Sequence, residues 1–326
     1  MSAGRPENWD FGAVRHRIAP SRGILAKRAD DRPVHGYPRW SRFGTRRKGR
    51  PLSSTSNILC RESDPRVADL RRKLDEFYST TSTYESFEAP SLKPDFWGPI
   101  AEDVRRHVTS GEACRVLEFG AGRTAFPSFL GDLRSKVRFH AQDVATQNRE
   151  FLSACADDAF IADLSTISGP YDIIFSTFVW EHITNPRETL GHLFRLLAPG
   201  GRLYIACPRY DFPMYLSPSA RHHPAGTRFL LGLRLMARRL RVALGGSPDF
   251  LIHVDPCVLH RPWFRDADAI HWASLFDLRR ALPPGATIES LPVPRSTLKG
   301  KVSAALLLIF VRITKGASPP GAGGGV

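Results

Sequence analysis

The chain has 326 residues, 42% of them hydrophobic and 24% charged, enough to bury a full core in one large domain or two small ones. Most of its net charge of +14 lies in the first 50 residues, which carry 13 Lys or Arg against 4 Asp or Glu, so the remainder is too mildly basic to read as a nucleic-acid-binding domain. Five scattered cysteines without a CxxC pair argue against a disulfide framework or a zinc motif and for a reducing, cytoplasmic setting, and the longest apolar run, 304–311, is too short to span a bilayer.

Residues 1–60 are rich in Arg, Pro, Gly and Ser without a sustained apolar period, so this basic leader is expected to stay disordered. Val67, Leu70, Leu74 and Phe77 recur at helical spacing, and a second helix is expected over 96–108, giving an N-terminal helical segment at 63–108. From residue 114 short β-rich runs alternate with helical stretches. Strands are predicted at 115–119, 137–142, 159–162, 171–176 and 202–207, forming a core over 114–207. Asn185, Pro186 and Glu188 signal the start of the helix before the fifth strand, and Gly200 and Gly201 its end. The stretch 208–262 breaks the alternation and reads as an inserted helical lid. Within it Leu230, Leu231, Leu233, Leu235, Met236, Leu240 and Leu244 interleave with Arg234, Arg238, Arg239 and Arg241. An amphipathic lid with solvated arginines is favoured over a helix lying on a membrane surface through 229–244. A helix over 266–282 is expected to bury Trp272, Leu275, Leu278 and Leu282 on one face, and strands at 287–291 and 302–314 to close a domain that runs from 61 to 315. Residues 316–326 read as a flexible tail.

The strongest local signal is Val116-Leu117-Glu118-Phe119-Gly120-Ala121-Gly122-Arg123-Thr124, a buried strand entering a glycine turn. A Cβ at such a turn obstructs both the tight backbone and the close approach of a ligand. Alone the turn also fits a dinucleotide fingerprint, because Gly120 to Ala125 reads G-x-G-x-x-A. Glu118 ends the first strand, where a carboxylate repels a pyrophosphate and suits a cofactor with a cationic methionyl amino group. Asp143 ends the second strand 21 residues after Gly122, placed to accept from both ribose hydroxyls, which fits NAD equally well. Asp163 ends the third and can accept from an adenine amino group.

Taken in order, these motifs resemble class I S-adenosylmethionine-dependent methyltransferases of the small-molecule and glycan-modifying kind over 115–208, with a weaker likeness to residue 314. Tyr171 to Ser176 followed by Val179-Trp180-Glu181-His182-Ile183 looks like the family's fourth strand and its continuation, and Leu197-Ala198-Pro199-Gly200-Gly201-Arg202-Leu203 like its approach to strand five. Thr124 stands where many members carry a third glycine. The resemblance implies a Rossmann-like, doubly wound α/β fold with a mainly parallel seven-stranded sheet and an antiparallel last strand. It also implies S-adenosyl-L-methionine as cofactor, held by Glu118, Gly120, Gly122, Asp143 and Asp163 with their neighbours Ala121, Ala162 and Leu164. Methyl transfer then proceeds by in-line displacement, in which positioning supplies on the order of 7–11 kcal/mol of the barrier and a base about 10²- to 10⁴-fold in rate.

His182 follows the fourth strand at the ligand-binding edge of the sheet, where it is a candidate base; the plainer reading is a contact to the loop, cofactor or acceptor. Trp180 is a candidate wall of the transfer site, with ordinary core as the plainer reading. His253, Asp255, His260 and His271 match no ligand spacing, so no metal site is expected and they read as acceptor-pocket or surface residues. The expected acceptor is a small molecule or saccharide, with no specific nucleic-acid partner. An NAD(P)-dependent oxidoreductase and a non-catalytic S-adenosylmethionine-binding protein stay as alternatives.

Overall fold

The computed structural model describes residues 58–80, 94–295 and 297–316. The expected leader over 1–57, and the tail from 317 on, lie outside the described residues.

The elements run β1 (Leu59–Arg61), α1 (Pro65–Thr80), α2 (Pro94–Thr109), β2 (Cys114–Phe119), α3 (Phe126–Phe129), β3 (Val137–Asp143), α4 (Arg149–Cys155), β4 (Asp158–Ile161), β5 (Tyr171–Thr177), α5 (Pro186–Leu196), β6 (Leu197–Pro208), α6 (Ala225–Ala243), β7 (Leu251–His253), α7 (Leu275–Ala281), β8 (Thr287–Ser290), α8 (Leu298–Leu307) and β9 (Leu308–Thr314). The main sheet has seven strands in the order β4-β3-β2-β5-β6-β9-β8. Neighbours from β4 to β6 pair in parallel, whereas β9 runs antiparallel to both β6 and β8.

Alternation along each central strand feeds two layers. Leu117, Ile174 and Leu203 pack with Leu190 and Leu193 of α5, while Val116, Ile173 and Phe175 pack with Phe96, Ile100 and Val104 of α2. Burial on both faces explains why these strands read as near-continuous apolar runs. Buried Asp103 pins α2 across the sheet, pairing with Arg202 of β6 at 2.9 Å and Arg312 of β9 at 3.1 Å.

Helix α5 ends at Leu196, ahead of the Pro-Gly-Gly turn, which falls inside β6, and not at Gly200 and Gly201 as expected. Gly200 adopts φ +74°, the register of β5 with β6 shifts there, and the Lys315 ammonium closes the helix by donating to the carbonyls of Phe194 and Leu197. Asn185 occupies the N-cap position, but its amide donates to Glu188 instead of its oxygen capping a backbone N–H.

Four further expectations are corrected. Residues 59–61 are no part of a disordered leader, because they pair antiparallel with Leu251–His253 as a second, two-stranded sheet. Helix α7 begins only at Leu275. Ser274 caps it by accepting from the Phe276 and Asp277 N–H groups, and the preceding chain is extended, with Trp272 N–H donating to Leu251 O. The expected strand over 302–314 starts at Leu308, since the Ala- and Leu-rich run before it favours helix and Thr297 caps that helix. In the insertion only Leu231 and Leu235 of the seven apolar residues are buried, alongside Leu59, Tyr210, Leu251 and Trp272. The lid arginines are not all solvated either: Arg239 is buried, donates to Asp277 and the Trp272 carbonyl, and lies 3.5 Å from Asp211.

Candidate active site

The parallel strands end together at one edge of the sheet, and their loops wall a cavity of about 740 Å³. Its floor is the turn after β2. Gly120 and Gly122 take φ values of +68° and +57°, a region costly for residues with a Cβ. The turn is tied to β3 through its backbone N–H groups. Gly120 N–H donates to Gln142 Oε1 (3.1 Å), Ala121 N–H to the Gln142 carbonyl (2.8 Å), and Gly122 N–H to Asp143 Oδ2 (2.6 Å). A Cβ on Gly120 would lie 2.5 Å from both γ-carbons of Val179, so neither the backbone nor the space admits a side chain.

Of the residues expected to hold a cofactor, Gly120, Gly122, Asp143, Asp163 and Leu164 line this cavity. The Asp143 carboxylate also accepts from Ala145 N–H and Asn148 Nδ2. Asp163 caps the turn that follows it by accepting from Ser165 N–H, and its other oxygen meets Arg71 of α1 at 2.6 Å. Partial burial pushes its carboxyl up, but the Ser165 bonds and the Arg71 charge outweigh that and hold it below the usual range. Ala121, Ala162 and Glu118 do not line the cavity; Glu118 is fully buried behind the glycine turn.

Beyond the turn the wall changes character. Tyr78, Tyr215 and Trp263 line it with Asp266, Asp268 and His182. The His182 ring faces Asp268, with Nδ1 3.1 Å from its carbonyl and 3.3 Å from Oδ2, and Tyr78 donates to the same carboxylate at 2.6 Å. Burial opposes charge on His182, yet Asp268, Glu181 and Asp266 outweigh it and push the ring up to about 10. A ring held in its charged form donates hydrogen bonds, which weighs against the expected general base and favours the expected acceptor contact at His182. Burial pushes the neighbouring Glu181 up to about 7, and both its carboxylate oxygens are buried without a hydrogen-bond partner among the described residues.

The expectation that Trp180 walls the site is corrected. Its side chain is fully buried in the core with Ile183 and Leu190 and does not reach the cavity. His253, Asp255, His260 and His271 likewise do not line it; His271 instead bonds the Trp180 carbonyl at 2.9 Å. Sequence reasoning missed the contribution of α1, whose Arg71, Leu74, Asp75 and Tyr78 line the cavity at i, i+3, i+4 and i+7. Leu74 was legible as an apolar anchor, and the polar residues on its own stripe were the available signal.

A family model described as a methyltransferase domain matches residues 67–282. Among solved structures, the chain is similar to the plantazolicin methyltransferase BpumL in complex with SAH, at 12% identity over 78% of this chain and 91% of that one, with a TM-score of 0.41. It is also similar to the Burkholderia thailandensis 1,6-didemethyltoxoflavin-N1-methyltransferase (16% identity, 76% and 88% covered, TM-score 0.43). A third similar structure is the N-methyltransferase NodS from Bradyrhizobium japonicum WM9 (13%, 69% and 98%, TM-score 0.35). No curated protein matches the chain. With that family model spanning about two thirds of the sequence, the chain belongs to the methyltransferase-domain family and is a class I S-adenosylmethionine-dependent methyltransferase.

Proposed function

We propose that the cavity binds S-adenosylmethionine over the glycine turn and a small-molecule or saccharide acceptor against the Tyr78, Tyr215 and Trp263 wall. The observation that carries this reading is one cavity of about 740 Å³ lined both by Gly120 and Gly122 of the turn and by Tyr78, Tyr215, Trp263, Asp266 and Asp268. That volume lies within the ~300–1,000 Å³ of ligand pockets and suits a nucleoside-sized cofactor with a small partner. Asp143 receives the ribose, the 162–164 segment with Asp163 the adenine, and the backbone of 120–122 the methionyl part. Buried Glu118 supplies negative charge behind that turn for its amino group.

When bound, S-adenosylmethionine supplies a methyl on a sulfonium leaving group. The chain's own work is to orient the acceptor in line and exclude water, which α1 serves by spanning the opening from Arg71 at Asp163 to Tyr78 at Asp268. Protonated His182 serves as hydrogen-bond donor and counter-charge to the acidic wall, not as a proton acceptor. No helix among the described residues is long and apolar enough to cross a membrane. The five free cysteines, four of them buried, fit a reducing compartment, and the cytoplasm is the location proposed.

Calorimetric titration tests the reading. S-adenosylhomocysteine is expected to bind at micromolar level, with NADH and NADPH silent, and turnover of labelled S-adenosylmethionine on an acceptor panel identifies the substrate. Binding of a nicotinamide cofactor alone would overturn it. Tight S-adenosylhomocysteine binding with no acceptor in any extract would make this a binding protein without turnover.

A further inference from the structure

Four of the chain's eleven histidines meet outside the cavity, in the insertion, with an aspartate and a cysteine. His222 and His223 follow the short turn Pro218–Ala220, His253 ends β7, and Asp255, Cys257 and His260 lie on the loop after it. One ligand atom from each of His222, His223 and Asp255 lies within 4.8 Å of the others. His253 Nε2 is 3.0 Å from His223 Nε2, and His222 Nε2 is 3.4 Å from Asp255 Oδ2.

The protons in this network can be followed. Ser217 Oγ donates to the Ala269 carbonyl (2.7 Å), which can only accept. Ser219 Oγ donates to Ser217 Oγ (2.9 Å), so Ser219 Oγ must accept from His253 Nδ1–H (3.0 Å). In the neutral ring the lone pair is then on Nε2, aimed at His223. A single proton between the two nitrogens would satisfy that pair, and His222 and Asp255 bring a further nitrogen and a carboxylate oxygen into the same space. Outer contacts fix the other groups too: Cys257 Sγ lies 3.3 Å from His222 Nδ1, and His260 bonds the second oxygen of Asp255.

We infer that His222, His223 and Asp255, whose ligand atoms converge, form the core of a binding site for a first-row transition-metal dication, matched best by Zn²⁺, with His253 beside His223 as the fourth donor. Three imidazole nitrogens and one carboxylate oxygen are a borderline donor set suited to zinc and unsuited to Mg²⁺ or Ca²⁺. Zinc–ligand distances of about 2.0–2.1 Å in a tetrahedron put ligand atoms roughly 3.4 Å apart, close to the two separations seen here. The hydrogen bonds on the far sides of His253, His222 and Asp255 supply the outer support that metal-bound groups carry. The site is a structural staple between residues 217–223 and the loop after β7, and it stands apart from methyl transfer.

The test uses full-length protein without a histidine tag, stripped with a chelator and titrated with ZnSO₄, with MgCl₂ alongside. One equivalent of Zn²⁺ is expected per chain with Mg²⁺ silent, a rise in Tm on loading, and visible absorption typical of tetrahedral Co²⁺ when CoCl₂ replaces zinc. Ser219→Ala, which removes only an outer contact, is expected to weaken Zn²⁺ about 10- to 100-fold. His222→Gln and Asp255→Asn, whose side chains reach the surface and whose folding is followed by circular dichroism, are expected to weaken it further. Absence of a zinc equivalent in the wild type, or unchanged affinity in both ligand variants, would overturn the proposal. So would loss of binding in Asp266→Asn with retention in Asp255→Asn, because the ion would then sit at the cluster of Glu181, His182 and Asp266, whose ligand atoms also converge.

Discussion

The glycine turn and the insertion solve the same problem, holding a wall of one cavity, with opposite means. At the turn every tie is local to two adjacent strands: Gly120, Ala121 and Gly122 donate to Gln142 and Asp143, and no side chain of the turn is required. The insertion is held by side chains far apart in sequence. Buried Arg239 of α6 reaches Asp277, Asp211 and the Trp272 carbonyl, and β7 pairs with residues about 190 positions earlier. Function at the turn therefore depends on what is missing, a Cβ, whereas integrity of the insertion depends on what is present, a paired charge.

The largest effects break each side of that contrast. Gly120→Val places β-branched bulk where even a Cβ lies 2.5 Å from Val179, at a φ of +68°, and is expected to abolish S-adenosylhomocysteine binding by calorimetry. Retained micromolar binding would show that the cofactor does not lie over the turn. Arg239→Ala leaves Asp277, which also accepts from Asp249 N–H, buried without its guanidinium. Losing one partner of a buried pair costs about 3–5 kcal/mol, a Tm drop on the order of 10 °C at this chain length. Cofactor affinity should change little in the folded fraction; an Arg239→Ala protein as stable as wild type would mean the insertion is held by its apolar contacts alone.

Asp143→Ala is the next largest. It removes the acceptor for Gly122 and Ala145 together with the proposed ribose contact, and loss of charge-assisted bonds at about 1.5–3 kcal/mol predicts roughly 10- to 150-fold weaker S-adenosylhomocysteine binding. Here sequence and structure agree for a physical reason. Gly120, Gly122, Asp143 and Asp163 sit at strand ends, and the strands are set by local apolar runs, so their positions follow from spacing. The acceptor wall was not legible in the same way. Asp266 and Asp268 were expected on a helix that begins only at Leu275, and Tyr78 joins them through a contact spanning 190 residues. His182 was found by position, but its charge state depends on those two carboxylates, which no spacing rule places beside it.

A smaller effect follows from that charge state. A histidine raised from 6.5 to about 10 on folding contributes stability that is complete below about pH 6.5 and is lost as pH rises toward 10; buried Glu181, raised to about 7, pushes stability the same way. Tm of the wild type should therefore fall between pH 7 and 9.5 more steeply than that of His182→Gln. Equal slopes, together with a kinetic pKa near 6.5 that disappears in His182→Gln, would restore the histidine as a base.

The smallest expected effect concerns the N-terminal boundary of the comparison. Deleting residues 1–57 removes no described contact, so S-adenosylhomocysteine affinity should stay within about twofold, an energy difference under half a kcal/mol. Extending the deletion through Arg61 removes β1, the antiparallel partner of β7, together with Leu59 and Cys60, which pack against Leu251 and Ile252. The longer deletion should lower Tm while the shorter does not. Because β7 carries His253 at its end, it should also weaken Zn²⁺ before it weakens S-adenosylhomocysteine. A shorter deletion that already costs cofactor affinity would instead place part of the basic leader at the cavity.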